Sequence, residues 1–256
     1  MERTIPFNEV SVVADWRNPA NYVSLLACDR RAFAWEWLRR NPGYRSAAAR
    51  GTPDPGTFGL VAFADPDLAA ADARPIWAPK VDPHVLDTYV GGYASEPDDQ
   101  LDIRALAEFV SVEVRDDTTE HWLLSNGQWS IRIDLHDGTL LGGPLLLDHR
   151  MQGLASAEPK MVALRRLIAL SRHGSLPAGL QPKEVRAARW VLELRTADGL
   201  AAGATHHAMA RSFFGQSVAR DRWRVESASY RLRIQRLAQA ARRNLSAPLS
   251  GPWFEN

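Results

Sequence analysis

The sequence predicts an α+β protein: an N-terminal helical segment, a small antiparallel β meander and a C-terminal helical bundle. Three observations lead there. The run RRAFAWEWLRR, residues 30–40, puts Phe33, Trp37 and Arg40 on one helical face, with Trp35 and Leu38 beside it. Residues 108–148 alternate apolar and polar side chains around Asn-Gly and Asp-Gly turns. Beyond Glu158 the apolar residues recur every three or four positions. The 256 residues, 45% hydrophobic and 24% charged, are of ordinary globular composition and suit one large domain or two small ones.

Residues 1–50 read as an N-terminal helical regulator motif behind a lead, 1–18, with no clear period. Pro19 suits a first helical turn, and Asn21, Tyr22, Leu25 and Leu26 begin one helix. Residues 30–40 form a second, which Asn41-Pro42-Gly43 is expected to stop, since proline disfavours helix at the residue before it. Residues 51–155 read as a β-rich middle. Short strands are expected at 58–63 and 75–78, and GGYASEPDD, 91–99, as a loop. EFVSVEVR, 108–115, alternates as a strand. HWLLS and QWSIRIDL, 121–125 and 128–135, flank Asn126-Gly127 as a hairpin with a type I′ turn. In the second of these, Trp129, Ile131, Ile133 and Leu135 alternate with Ser130, Arg132 and Asp134. Asp137-Gly138 then turns the chain into TLLGGPLLLDH, with one face of the meander buried.

Residues 156–245 read as four helices, followed by a tail, 246–256. The first, 159–172, carries Met161, Leu164, Leu167 and Ile168 at helical spacing. The second, 182–200, carries Val185, Ala188, Leu192 and Arg195, with Gly199 and Gly203 marking its end. The third, 205–214, is short and closes at Gly215. The fourth, from 227 to about 243, has an apolar stripe of Tyr230, Ile234, Leu237 and Ala241. A short helix, a glycine-containing connector and a long basic helix make the outline of a helix-turn-helix.

Charge is divided unevenly. From Lys160 onward there are 17 basic and 6 acidic residues; before it there are 14 and 24. Such a split points to an acidic or interaction half and a polyanion-binding half. With the apolar stripe of the last helix turned inward, Leu232, Gln235, Arg236 and Gln239 face outward, flanked by Arg231 and Arg242. Arg220, Arg222, Arg224 and Arg233 cluster near the helix start. Arginine can fork onto guanine and glutamine onto adenine in the major groove, while other arginines and the hydroxyls of Ser227 or Ser229 hold phosphates. The candidate DNA-binding set is therefore Arg220, Arg222, Arg224, Ser227, Ser229, Arg231, Arg233, Gln235, Arg236 and Gln239. The competing reading is a basic helix docked on an acidic protein surface, such as the chain's own acidic half.

At these residues a resemblance appears. Residues 161–243 resemble the RovC-like transcription-factor DNA-binding domain, through LRRLIAL (164–170), ATHHAMARSFFG (204–215), Trp223 and the string Ser229, Arg231, Arg233, Ile234, Arg236, Leu237. The β segment 123–154 is similar to the one preceding that domain. AFAWEWLRRNPGYR, 32–45, resembles the signature of a small regulator domain that accompanies it in rhizobial excision activators of the FseA type. Leu232 and Gln235 depart from the arginine or small polar residues usual in that family, and the tail lacks its Gly-Tyr-Arg ending. The resemblance implies promoter binding on double-stranded DNA, activation in mobile-element or secretion-system control, and inhibition by a small anti-activator protein. A homo-oligomer is expected because bacterial regulators usually read paired half-sites. What the N-terminal motif touches stays open between RNA polymerase, a second subunit and the chain's own C-terminal half. The alternative function is a protein-only regulator that binds another transcription factor.

No catalytic constellation is found. His206-His207 are adjacent and cannot face one metal from a single helix turn; His121, His136 and His149 sit in or beside the meander with no supporting carboxylate spacing. Gly91-Gly92 and Gly142-Gly143 lack phosphate-loop contexts, and no G-x-S-x-G elbow is present. Asp98-Asp99 and Asp116-Asp117 read as solvated turn residues. Cys28, the only cysteine, reads as a small buried apolar residue in a reducing compartment. Trp35, Trp37, Trp77, Trp122 and Trp129 read as core, whereas Trp16 and Trp253, in the termini, are left for an interface. With no signal-peptide run and no stretch near the ~18 apolar residues of a membrane span, a non-enzymatic cytoplasmic protein without cofactor or metal is expected.

Overall fold

The computed structural model describes residues 15–92, 96–116, 118–215 and 228–255. The N-terminal segment opens with a 3-10 helix, Pro19–Ala27, capped by the Asn18 side chain, which accepts from Ala20 N at 3.0 Å. Helix α1, Arg30–Leu38, starts where the Asp29 carboxylate accepts from Ala32 N. Every residue from Arg31 to Leu38 is buried, Glu36 included. A helix buried all round belongs at the centre of a core. The Asn41-Pro42-Gly43 expectation is half corrected: α1 ends there, but a new helix also begins. Asn41 caps α2, Pro42–Arg50, by accepting from Tyr44 N at 3.0 Å. Pro42 sits at its first position, where a missing N–H costs nothing.

Residues 58–63 and 75–78 do not form strands. They meet through one bridge, Leu60 to Trp77, beside a 3-10 turn at Pro55–Phe58. A short helix α3, Ala70–Ala73, intervenes. The sheet has six strands: β1 Leu86–Val90, β2 Gln100–Leu101, β3 Val110–Asp116, β4 Thr119–Ser125, β5 Ser130–His136 and β6 Leu145–Arg150. Its order is β2-β6-β1-β5-β4-β3. The α+β class holds, and β3-β4-β5 is the antiparallel meander. β6, however, does not continue it. β1 pairs parallel to β5 and antiparallel to β6, making the sheet mixed. β1 follows a proline-rich stretch, and its five residues, LDTYV, are too few for alternation to mark a strand. The type I′ turn is also corrected. Gly127 alone has positive φ, +88°, and the Asn126 side chain closes the turn by accepting from Gln128 N and Trp129 N. A Cβ on Gly127 would lie 2.5 Å from that of Ala71, so close approach adds to the demand for glycine.

Helix α4, Leu154–His173, covers one face of the sheet. Ala163, Leu167 and Leu170 pack with Leu176 on Leu86, Trp122, Leu124, Ile131, Ile133 and Leu135. The expected apolar set was rotated. Met161 and Ile168 are exposed, and Pro159 lies inside the helix rather than at its start. The other face of the sheet is covered too, with Val61, Ile76 and Leu123 clustered there. Arg132 is buried against it, donating to Trp77 O at 3.1 Å and to Asp134 at 2.8 Å.

Helix α5, Ala187–Ala201, begins later than expected and buries Ala187, Trp190, Val191, Leu194 and Ala197; Val185 is fully out in solvent and Ala188 is exposed. Gly199 lies inside α5, where a Cβ would come 3.0 Å from Met209 Sδ and 3.3 Å from Trp16. Helix α6, His206–Phe214, is capped by Thr205, which accepts from Ala208 N, and ends at Gly215 with φ +93°. Helix α7 runs Ala228–Ser246.

These helices share a core with the N-terminal segment. Phe33, Trp35, Trp37 and Tyr44 pack in one cluster with Ala187, Trp190, Leu194, Ala241 and Trp253. The interface expected of Trp16 and Trp253 is overturned. Trp16 fills a cluster with Met209, Ala210, Ile234 and Leu237, and Trp253 stacks on Phe33 at 6.4 Å and meets Trp190 edge-on at 4.9 Å. Trp253, though only three residues from the last in the sequence, is core. Of the contacts left open for the N-terminal motif, this structure contains the one with the chain's own C-terminal half.

Candidate nucleic-acid interface

α7 holds five arginines and no acidic residue. Its inner face is set by small and apolar side chains. Ile234 and Leu237 enter the Trp16 cluster, and Ala238, Ala240 and Ala241 are buried beside α5. Near its end, Asn244 is buried and donates to Glu193 of α5 at 3.4 Å; Glu193 in turn accepts from Arg189 at 3.0 Å. The helix is thus anchored along its whole length, which a surface that reads geometry requires.

The outer face carries Ser229, Leu232, Gln235, Arg236, Gln239, Arg242 and Arg243, all exposed. Spacings of three and four put them in one row. The expected stripe and outward face of this helix therefore match the structure, and Leu232, 47% exposed, does stand among the polar groups. Arg231 is half-buried. Arg233 lies over the Phe214 ring, 4.3 Å from its centroid, and Phe214 stacks on Tyr230 at 5.4 Å. That stacking ties the start of α7 to the end of α6. Arg220, Arg222, Arg224 and Ser227, and the connector of the expected helix-turn-helix, lie outside the described residues.

Three further arginines were not selected from the sequence. Arg186 and Arg189 at the start of α5, with Arg243, border a groove of about 300 Å³ whose wall is Trp190 and Trp253. The Arg242-Arg243 pair was visible as charge; its meeting with Arg186 was not, because that depends on how α5 and α7 cross.

The other candidate groups have structural surroundings. The Cys28 thiol is buried and donates to Ser24 O and Gly127 O; burial, reinforced by Asp29 and Glu36, pushes its pKa up to about 12. His121 pairs with Asp134 at 2.8 Å and His136 with Asp87 at 2.7 Å. Asp98 and Asp99 form an exposed 3-10 turn. Among the described residues no three His, Cys, Asp or Glu side chains are placed to share a metal ion, and no helix is long and apolar enough to cross a membrane.

Known families divide the chain in a way that the shared core does not. Residues 15–77 match the proteobacterial transcriptional regulator-like domain. Residues 153–245 match the family described as "T6SS, Transcription factor, DNA binding domain". Both matched families are transcription-regulator domains, and the matches point to a transcriptional regulator. No curated protein matches the chain, and no solved structure does. The second match spans α4 to α7, so α4 on the sheet and α5–α7 on the N-terminal core fall within one matched stretch.

Proposed function

We propose that the protein is a sequence-specific activator that binds double-stranded DNA with the outer face of α7. The observation that carries this is an anchored helix, within a DNA-binding-domain match, whose exposed row is arginine, glutamine and serine around Leu232, without one carboxylate. Gln235, Arg236 and Gln239 are the base readers, since both residue types can make paired hydrogen bonds to base edges. Arg242, Arg243, Arg186 and Ser229 hold phosphates and set the register. Arg220, Arg222, Arg224 and Ser227, which lie outside the described residues, are further DNA contacts in this reading, with α6 and α7 as the two helices of a helix-turn-helix. Arg231 and Arg233 flank the reading face. The protein acts in the cytoplasm as a homo-oligomer on paired half-sites, and RNA polymerase and a small anti-activator protein are its further partners.

The test is a titration of the protein against DNA upstream of its own and neighbouring genes, with random duplex as competitor, at two salt concentrations. Site-specific binding survives competitor and weakens with salt, as counterion release requires. Arg236→Ala then lowers affinity for the specific site by about 1–3 kcal/mol and leaves random duplex unaffected, while Arg243→Ala weakens both alike. Binding that competitor abolishes would sink the proposal in favour of a regulator that acts on another protein.

A further inference from the structure

α4 carries a face that nothing among the described residues covers. Its inner side, through Ala163, Leu167 and Leu170, lies on the sheet. On the outer side Leu154, Met161 and Ile168 stand seven residues apart and are 95%, 42% and 44% exposed. A second exposed row, also seven apart, is Glu158, Arg165 and Arg172. Val162 flanks the centre and is 41% exposed. Scattered exposed apolar residues are ordinary; here they form one row seven residues apart, and the charged row stands four and three residues from it, so the two rows together follow the line along which paired helices meet. Neither Glu158 nor Arg165 has an ion-pair partner among the described residues.

We propose that this face docks a second copy of the chain, α4 against α4, antiparallel about a two-fold axis at Met161. The order of charges selects both the occupant and the direction. In a parallel pair Glu158 would meet the partner's Glu158, and Arg165 the partner's Arg165. In the antiparallel pair Met161 meets the partner's Met161. Leu154 and Ile168, each seven residues from the axis, exchange: Leu154 meets the partner's Ile168, and Ile168 the partner's Leu154. Glu158 and Arg165 lie three and four residues from the axis, so each faces its opposite charge within one residue's rise of about 1.5 Å. One register therefore satisfies three apolar and two ionic contacts, as a self-complementary two-fold interface demands. Arg172 lies past the start of the partner helix. α4 is remote in sequence from the reading face of α7, and the pairing does not depend on DNA.

The experiment is sedimentation of the full chain over a range of concentrations, with charge reversals. Glu158→Arg and Arg165→Glu alone each weaken self-association about tenfold or more, because two attractive pairs become repulsive. The double variant Glu158→Arg/Arg165→Glu recovers association to within about threefold of the parent, the residue of imperfect additivity. Met161→Lys and Ile168→Lys give monomers whose melting curves match the parent, these positions being solvent-exposed in one chain. A parent chain that stays monomeric overturns the proposal. So does an assembly indifferent to the single reversals, or a double variant no better than the singles.

Discussion

The Arg40 side chain links the N-terminal helices to α5. Its guanidinium forks onto Asp198 of α5 at 2.8 and 2.9 Å and also donates to Glu36. Tyr22 donates to the same Asp198 at 2.7 Å. Burial and the neighbouring carboxylate push the Tyr22 phenol well above its ordinary range. Removing one member of such a group leaves buried charge without a partner. Arg40→Ala is expected to cost about 3–5 kcal/mol of stability, read by denaturant unfolding. Arg40→Lys should recover only part of it, since an ammonium cannot fork. That Arg40 shares a face with Phe33 and Trp37 was legible in the sequence. That its partner would be Asp198, 158 residues away, was not.

At the scale of elements, α7 was the most legible and α4 and α5 the least. α7 has one apolar stripe of strong contrast, so a helical wheel orients it. Leu237→Ala is expected to cost roughly 2–5 kcal/mol. Leu232→Ala, on the outer face, should stay within about 0.5 kcal/mol. Thermal melts of the two variants check this, and equal losses would mean that the helix is rotated from its position here. α4 and α5 are apolar on more than one side, so periodicity admits two orientations; the sheet beneath α4 and the tryptophans beside α5 choose between them. β1 is not legible in the sequence because five residues of a short strand carry too little alternation, and its place between β5 and β6 is a matter of long-range pairing.

On the scale of the whole molecule, Trp16 and Trp253 each close a cluster among the helices, Trp16 with Met209 and Ile234, Trp253 with Phe33 and Trp190. Trp253, 2% exposed, donates through its indole N–H to Pro248 O and packs on Phe33 and Trp190. Trp253→Ala is expected to cost about 3–5 kcal/mol, measured by denaturant unfolding, although the tail gave no sign of this in sequence. Acid should loosen the same assembly. Burial alone would raise the pKa values of Asp82, Glu36 and Asp134. Arg31 holds Asp82 below the carboxylate range, Arg40 and Arg39 hold Glu36 there, and His121 and Arg132 hold Asp134 there. Groups lowered by folding contribute stability above their unfolded pKa, about 4, and lose it as pH falls through the folded value. The melting temperature is therefore expected to fall with pH below about 4; a melting curve flat from neutral pH to pH 3 would contradict this.

The sequence by itself determined that helices stand on both sides of the sheet region, where the meander lies, that the C-terminal third is basic, and which face of α7 meets solvent. Each of these follows from spacing along the chain, through periods of two and 3.6 residues, caps and turn residues. Only the tertiary structure decided that the N-terminal segment and α5–α7 share a core, that β1 enters the sheet between β5 and β6, and that both terminal tryptophans are buried. These depend on contacts between residues far apart in sequence, where the gain is buried area and matched charge, and local pattern carries no record of the partner.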